Sequence, residues 1–245
     1  MSFLSKQPGG SVAKADSWKM FNAISARYDL LNHLLSFGLH IRWRKHLAIA
    51  LPPRPGLRVL DLATGTADVL LALSRHNPRV RRGVGLDLAE NMLAVGRQKI
   101  QKQGLTDRLE LRRADAMDLP FKDPCFDAVT MAFGIRNVPS PQKVLSEAFR
   151  VLRPGGRILV LEFSFPENAF WKQLDLFYLR TVVPLIGGLL TGHYQAYKYL
   201  NETIEAFPYG GAFLSLLGKA GFVSLQARPL LLGVATIYQG DRPAS

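Results

Sequence analysis

The stretch Arg58-Val-Leu-Asp-Leu-Ala-Thr-Gly-Thr-Ala-Asp68 joins an apolar segment to a tight turn. The apolar segment ends in Asp61 and predicts a strand buried on both faces, and the apolar run at 69–73 predicts a helix. This order is typical of the first βα unit of a nucleotide-binding sheet. The next predicted strand ends at Asp87, 22 residues after Gly65, near the offset at which such folds hydrogen-bond a ribose. The stretch therefore predicts a nucleoside site.

The composition of the turn indicates which nucleoside binds. A dinucleotide site needs three glycines so that the backbone can approach a pyrophosphate, whereas this turn has Gly65 between Ala63 and Ala67. Asp61 and Asp68 flank it, and their charges would repel a diphosphate but suit a ligand with an ammonium and a sulfonium group. We therefore expect S-adenosylmethionine (SAM) as the cofactor; an ordinary α/β turn without a ligand is the alternative.

Length and composition predict a single globular domain with additions. At 245 residues and 48% hydrophobic content it can bury a full core. A single cysteine, Cys125, rules out an intramolecular disulfide and fits a reducing compartment, so we expect a cytoplasmic protein. The formal net charge of +12 indicates attraction to an anionic partner, either nucleic acid or an acidic membrane surface, unless it is only a solvated basic surface.

Periodicity predicts a seven-stranded, mostly parallel sheet with helices on both faces. Residues 1–15 should form a loose N-terminus and residues 16–245 one domain, which includes an N-terminal helical cap at 16–52 and a helical insertion at 167–200. Further predicted elements are helices at 17–35, 40–51, 90–103, 140–152 and 203–220, and strands at 83–87, 109–113, 126–133, 157–163, 222–228 and 231–239.

The carboxyl ends of the predicted strands supply the candidate cofactor residues, because ligands of open parallel sheets bind there. Asp87 is placed to accept hydrogen bonds from the ribose hydroxyls. Asp115 is placed to accept from the adenine amine, while the Ala116 amide donates to a ring nitrogen. Each aspartate could instead be a helix N-cap. The fourth strand leads into Phe133-Gly-Ile-Arg-Asn137.

Several motifs resemble one family of class I (Rossmann-like) SAM-dependent methyltransferases, the quinone C-methyltransferases that act on demethylmenaquinol and on polyprenyl-methoxy-benzoquinols. The motifs that carry the resemblance are Tyr28-Asp-Leu-Leu-Asn32, Ser36-Phe-Gly-Leu-His-Ile-Arg-Trp-Arg44, Phe133-Gly-Ile-Arg-Asn137, Glu147-Ala-Phe-Arg-Val-Leu-Arg-Pro-Gly-Gly156, Leu161-Glu-Phe-Ser164, Tyr197-Lys-Tyr-Leu-Asn-Glu-Thr-Ile204 and Ala220-Gly-Phe222.

The resemblance implies a function in menaquinone or ubiquinone biosynthesis and a set of cofactor contacts. It implies that Thr66, Asp87, Asp115 and Ala116 contact SAM and that Gly65 shapes the loop. The chain departs from the family at two positions: Ala67 stands where glycine is usual, and Ala132 where serine is frequent.

Arg136 is the candidate catalytic residue. Methyl transfer to a ring carbon needs an electron-rich quinol, and ionising a phenol of pKa about 10 costs roughly 4 kcal/mol at pH 7. A guanidinium aimed at the developing oxyanion can supply much of this energy, although arginine cannot itself act as the base. Asn137 could orient a water that takes the proton, and Tyr28 and Asp29 from the cap could complete the pocket. His40 and His193 are alternative proton acceptors, and no metal is expected.

A polyprenylated quinol as substrate also suggests peripheral contact with the inner face of an anionic membrane, through the aromatic segment at 170–190. This segment could equally be core. The rival functions are a nucleic-acid methyltransferase, favoured by the charge but lacking an Asn-Pro-Pro-Tyr-like turn after strand four, and a non-catalytic SAM-binding module. Ring type, tail length and oligomeric state stay open, with a homodimer among the alternatives.

Overall fold

The computed structural model describes residues 14–122, 124–186 and 194–244. Within them, seven strands form one sheet: β1 (Leu57–Leu62), β2 (Val80–Asp87), β3 (Leu109–Arg113), β4 (Phe126–Ala132), β5 (Leu152–Phe163), β6 (Val223–Leu230) and β7 (Ala235–Asp241). The strand order is β3-β2-β1-β4-β5-β7-β6, parallel throughout except that β7 runs antiparallel to both β5 and β6. The predicted seven-stranded, mostly parallel sheet is confirmed.

The helices that pack around this sheet are α1 (Ser17–Leu35), α2 (Leu39–Ile49), α3 (Asp68–His76), α4 (Glu90–Lys102), α5 (Pro141–Val151), α6 (Ala169–Phe177), α7 (Tyr194–Ala206) and α8 (Gly211–Lys219). A π-helical stretch, Tyr178–Val182, continues α6.

Alternation along the strands divides the core into two layers, because successive side chains of a strand point to opposite faces. Leu60 and Leu62 of β1 belong to the cluster that contains Val144 of α5 and Phe213 of α8. Val59, on the other face, belongs to the cluster that contains residues of α2 and α3. The central strands are therefore buried on both sides, which explains their continuous apolar sequence.

The cap helix α1 is fastened to loops at the carboxyl edge of the sheet. The Asn91 amide at the start of α4 donates to Asn22 Oδ1 (2.8 Å), and Ser17 Oγ donates to the Asn137 carbonyl (3.3 Å). Leu31 of α1 packs in a third apolar cluster with Leu179 of the predicted insertion and with Ile204 of α7. The cap and the insertion thus lie together over the strand ends.

Several predicted boundaries are wrong, and three of them have a clear physical reason. The helix expected at 203–220 is two helices, because Pro208 disfavours helical geometry in the residue before it and Gly210 has a φ of +60°. Strand β5 begins at Leu152 rather than at 157, with a register shift against β4. The strand expected at 231–239 begins at Ala235, because Leu231–Gly233 form a 3-10 turn.

The N-terminal boundary differs as well, because Lys14–Asp16 form a 3-10 turn inside the segment expected to be loose, whose first 13 residues lie outside the described part. No described helix combines the length and the apolarity that a membrane span requires.

Candidate active site

The turn after β1 has a glycine-like backbone at three alternate positions. Ala63, Gly65 and Ala67 have φ values of +50°, +55° and +64°. The left-handed region costs a residue with a Cβ atom about 1 kcal/mol or more, so the two alanines carry backbone strain. This geometry accounts for the glycine that the resembling family has where this chain has Ala67.

Asp61 lies beneath this turn and lines neither of the two cavities described below. It is 1% exposed, and it accepts hydrogen bonds from Thr64 Oγ1 and Thr130 Oγ1, both at 2.6 Å. Burial raises the pKa of its carboxyl to about 6. The structure therefore does not support the predicted contact between Asp61 and the cofactor; Asp61 holds the turn in shape through Thr64.

A cavity of about 240 Å³ opens at the carboxyl ends of β1, β2 and β3, and we call it the acidic cavity. Gly65, Asp87, Asp115 and Ala116 all line it, so four of the predicted cofactor residues come together there. Asp87 accepts from the backbone amides of Gly65 and Ala89, each at 2.8 Å. Burial raises the pKa of Asp87, and these two bonds oppose the rise.

Asp115 is held by its own loop, since its Oδ1 accepts from the Met117 amide at 2.8 Å. A carboxylate has lone pairs beyond those that these amides use, so Asp87 and Asp115 both keep acceptor capacity toward a ligand. The acidic cavity therefore fits a nucleoside that offers ribose hydroxyls and an exocyclic amine.

The acidic cavity also has a wall that the sequence did not reveal. Ser17, Trp18 and Phe21 line it from the cap, and Lys14 lines it from the 3-10 turn that precedes α1. The guanidinium carbon of Arg113, at the end of β3, lies 5.6 Å from the ring centre of Trp18. The sequence places Trp18 and Phe21 on the apolar face of a helix. Helical spacing does not show that this face covers a cavity.

Asp68, at the end of the turn after β1, is neutralised by two basic side chains. Asp68 forms ion pairs with Arg44 (2.7 Å) and Lys99 (2.6 Å), which hold the pKa of its carboxyl below the ordinary value against the effect of burial. The structure therefore does not support the expectation that the charges of Asp61 and Asp68 attract a cationic ligand, because Asp68 is already paired with two cations and Asp61 lines neither cavity.

Asp29 and Thr66 belong to the same network. Thr66 Oγ1 donates to Asp29 Oδ1 (2.7 Å), and the Lys99 ammonium bonds both residues. Asp29 lines neither cavity, so the structure does not support its predicted place in the catalytic pocket; it ties α1 to the turn after β1 instead. Thr66 lines the second cavity described below rather than the acidic one.

A larger cavity of about 290 Å³, which we call the apolar cavity, lies between the cap, the strand ends and the insertion. Most of its lining is hydrophobic, and Leu31, Trp43, Phe163 and Leu179 contribute from four different segments. The two cavities have seven lining residues in common: Phe21, Tyr28, Ala63, Gly65, Ala132, Phe133 and Asn137. A ligand in one cavity would therefore adjoin a ligand in the other.

Tyr28 and Arg136, both predicted catalytic residues, line the apolar cavity. Burial raises the pKa of the Tyr28 phenol, so it is a neutral donor at pH 7. Arg136 is 3% exposed and lies in the 3-10 turn Ile135–Asn137. Phe133, between β4 and this turn, has a φ of +55°. The carboxamide Oδ1 of Asn137 is buried and has no hydrogen-bond partner among the described residues.

Glu162 of β5 is a residue of this site that the sequence reasoning missed. Its Oε1 accepts from Arg136 Nη1 at 2.6 Å, and the same Nη1 donates to the Phe133 carbonyl at 2.7 Å. Burial raises the pKa of Glu162, and Arg136 opposes the rise. The sequence does contain an indication of this role, because a carboxylate within the apolar run of a central strand needs a buried partner of opposite charge.

His40 of α2 lines the apolar cavity, and its Nδ1 is hydrogen-bonded to Ser36 Oγ. Burial lowers the pKa of its imidazole to about 4, with Arg44 contributing. His40 is therefore neutral at pH 7 and a weak base. His193, the other suggested proton acceptor, lies outside the described residues.

Comparison with known proteins shows to which family this chain is similar. The model of the ubiE/COQ5 methyltransferase family matches residues 11–242. The demethylmenaquinone methyltransferase of Thermus thermophilus is 47% identical over 225 residues, which cover 91% of this chain and 100% of that protein. The ubiquinone/menaquinone biosynthesis C-methyltransferase UbiE of Geobacter sulfurreducens is 44% identical, covering 91% of this chain and 87% of that protein.

Solved structures agree on the fold. A SAM-dependent methyltransferase from Thermotoga maritima, described as a possible histamine N-methyltransferase, has a TM-score of 0.64 at 18% identity and covers 92% of this chain and 99% of that one. From the match to the family model and the identities of its relatives, we conclude that the chain belongs to the ubiE/COQ5 methyltransferase family of SAM-dependent enzymes.

Proposed function

We propose that this protein methylates a ring carbon of demethylmenaquinol, with SAM in the acidic cavity and the quinol ring in the apolar cavity. The observation that carries the proposal is the shared wall of the two cavities, which includes Tyr28, Phe133 and Asn137. Methyl transfer requires the donor and the acceptor atoms to be about 3 Å apart, and adjoining cavities provide that proximity. Relatives named demethylmenaquinone methyltransferases favour a naphthoquinol as the main substrate. We propose the benzoquinol as a second substrate of the same site.

SAM fits the groups that line the acidic cavity. Asp87 would accept from the ribose hydroxyls, Asp115 from the adenine amine, and the Ala116 amide would donate to a ring nitrogen. When bound, SAM supplies an electrophilic methyl group. Gly65 lines both cavities, so the turn after β1 would lie beside the reacting atoms.

Arg136 would stabilise the quinolate. Its Nη1 is committed to Glu162 and Phe133, whereas its Nε has no partner among the described residues, and arginine has five N–H donors in all. The guanidinium therefore keeps donor capacity toward a ring oxygen. Arg136 and Glu162 together form an ion pair with no net charge. Arg136 would therefore stabilise the quinolate mainly because its N–H donors are held in a fixed orientation toward the ring oxygen. Tyr28 and Asn137, on the shared wall, would orient the ring.

The substrate tail would leave the apolar cavity through exposed apolar residues. Phe37 and Leu231 line this cavity and are 77% and 49% exposed. Further exposed apolar side chains belong to α1, to α6 and to the turn after β6: Leu30, Leu34, Phe170, Trp171, Leu174, Phe177 and Leu232. We propose that this surface touches the inner face of an anionic membrane, toward which the net charge of +12 attracts the protein.

The acceptor is tested by incubating the protein with methyl-labelled SAM and, in separate reactions, reduced demethylmenaquinone, a reduced polyprenyl-methoxy-benzoquinone and bulk RNA, followed by mass detection of the products. We expect a methylated naphthoquinol, a slower reaction of the benzoquinol and unlabelled RNA. Labelled RNA with unlabelled quinols would contradict the proposal.

Membrane contact is tested by flotation with vesicles, using anionic and zwitterionic lipid in parallel. We expect flotation with anionic vesicles and a marked loss of it in a variant that carries Phe37→Ser and Phe170→Ser. Failure of the wild-type protein to float with either lipid would contradict the membrane proposal and leave the catalytic one standing.

A further inference from the structure

Asp175 of α6 is a carboxylate on the wall of the apolar cavity that has no role in any network described so far. It lines the cavity together with Tyr178 and Leu179. Its Oδ2 is buried and has no hydrogen-bond partner in the described structure. The residue as a whole is half-buried. A half-buried carboxylate with no partner on an apolar wall is energetically costly, and a ligand in the cavity that offers a hydroxyl would supply the partner.

Three other titratable groups of this cavity are poorly placed to accept a proton. Asp68 is paired with Arg44 and Lys99, and the Tyr178 hydroxyl donates to the Leu35 carbonyl at 2.8 Å. The imidazole of His40, with its pKa of about 4, is a weaker base than a carboxylate of higher pKa.

We propose, on the basis of the proposed function, that Asp175 is the proton acceptor of methyl transfer and takes the hydroxyl proton of the bound quinol. The burial of Asp175 supports this role, because burial raises the pKa of its carboxyl to about 6, close to neutral pH, where a general base is most effective. Arg136 and Asp175 then divide the work at the ring: the guanidinium stabilises negative charge on oxygen, and the carboxylate removes a proton.

The proton and electron balance of the reaction is complete with Asp175 as acceptor. As the proton moves to Asp175, the ring carbon attacks the methyl group, a carbon–carbon bond forms, and the methyl–sulfur bond breaks with its electron pair left on sulfur. The ring then carries a carbonyl and a carbon that bears both the methyl group and a hydrogen. Loss of that hydrogen to water as a proton restores the aromatic ring, and Asp175 returns its proton to the oxygen. One proton is released overall, which matches the loss of the sulfonium charge.

The charged and titratable groups around the apolar cavity come from several segments, and no neighbouring charge contributes to the raised pKa of Asp175. These groups are Tyr28, His40 and Arg44 from the cap, Asp68 at the start of α3, Arg136 after β4, Tyr178 after α6 and Tyr199 from α7. The carboxyl should therefore titrate near pH 6 through burial alone.

The test is the pH profile of single-turnover methyl transfer to reduced demethylmenaquinone by the wild type, Asp175→Asn and Asp175→Glu. The wild-type rate should rise through pH 6 and level off above it. Asp175→Asn should lower the rate at pH 7 by about 10²- to 10⁴-fold and replace the plateau with a steady rise with pH, since only solvent then removes the proton. Asp175→Glu should recover part of the rate and the plateau.

Two controls separate this role from a structural one. Glu167→Gln, an exposed carboxylate just before α6, should leave the rate and the profile unchanged. Asp175→Asn removes a half-buried charge that has no partner among the described residues, so the variant should be at least as stable to heat as the wild type and should bind SAM equally well. An unchanged profile in Asp175→Asn beside an active wild type would overturn the proposal for Asp175 alone, whereas an inactive wild type would overturn the proposed function with it.

Discussion

Arg136 Nη1 lies 2.6 Å from Glu162 Oε1, and the two side chains are 4% and 1% exposed. Strand β5 supplies the carboxylate and the turn after the neighbouring strand β4 supplies the guanidinium, so the pair fastens that turn to the sheet. The Phe133 carbonyl, which also accepts from Nη1, strengthens the attachment. The proposed oxyanion donor is therefore held in one orientation before any substrate binds.

Glu162→Gln should destabilise the protein by about 3–5 kcal/mol, because it leaves the Arg136 charge buried without a counterion. The free energy of unfolding from urea titration measures this effect.

The double variant Arg136→Gln with Glu162→Gln is the matched control for Glu162→Gln. It removes both charges and should be more stable than the sum of the two single changes predicts by at least 2 kcal/mol. Additive effects would show that the ion pair does not couple the two residues.

Asp87→Asn should weaken SAM binding about ten- to hundredfold, because an amide replaces a charged acceptor of the ribose hydroxyls and places an N–H group against the Gly65 or Ala89 amide. Isothermal calorimetry with SAM measures the affinity. Asp107→Asn, an exposed carboxylate before β3, is the control and should bind like the wild type. Equal affinity in the two variants would remove Asp87 from the cofactor site.

Gly134→Ala should disturb both cavities, because a Cβ atom there would lie 2.6 Å from Ala63 Cβ and force the two turns apart. We expect a loss of about 1–3 kcal/mol in stability and weaker SAM binding. Gly218→Ala, inside α8, would meet only Leu225 Cδ1 at 3.5 Å, so it should be neutral or stabilising by up to about 1 kcal/mol. Thermal unfolding with and without SAM compares them, and a fully tolerated Gly134→Ala would mean that the close approach of the turns does not matter.

Stability between pH 4 and 6.5 should depend on Asp61 and His40 with opposite signs. Burial raises the pKa of Asp61 from 3.8 to about 6, so its contribution is complete below pH 3.8 and is lost as the pH rises through 6. Burial lowers the pKa of His40 from 6.5 to about 4, so its contribution is complete above pH 6.5 and is lost as the pH falls through 4. Each contribution is about 3 kcal/mol.

Urea titrations across this pH range isolate the two groups as differences from the wild type. Asp61→Asn should gain stability relative to the wild type as the pH rises from 4 to 6, and His40→Gln should lose relative stability over the same interval. Differences that do not change with pH would mean that neither group titrates at a shifted pKa.

Local patterns in the sequence were sufficient to predict most of the fold. The strand at 109–113 and the helix at 17–35 have the predicted bounds, because apolar periodicity reports directly which face of an element is buried. Apolar spacing alone does not reveal the break between α7 and α8, because it continues on both sides; Pro208 and Gly210 are the residues that mark the break.

The sequence predicts the residues of the candidate site that follow strand ends. It does not predict the ion pairs between side chains that are distant in the chain. Asp87 and Asp115 come together because the parallel strands that precede them end at the same edge. The pairing of Asp68 with Lys99 joins residues 31 apart in the chain, and a charge count cannot reveal it. In the sequence, Asp175 is a single carboxylate within the aromatic segment at 170–190. Only the folded structure shows that it lines the apolar cavity and that its Oδ2 has no partner among the described residues.

The most direct test of the account is transfer of a trideuteromethyl group from labelled SAM to reduced demethylmenaquinone, by the wild type and by the double variant Arg136→Ala with Glu162→Gln, which leaves no unpaired buried charge. SAM affinity is measured on both by calorimetry. The role proposed for Arg136 predicts a methylated quinol from the wild type, none from the variant, and SAM affinities within a few-fold of each other. Turnover of the folded variant near the wild-type rate would contradict it.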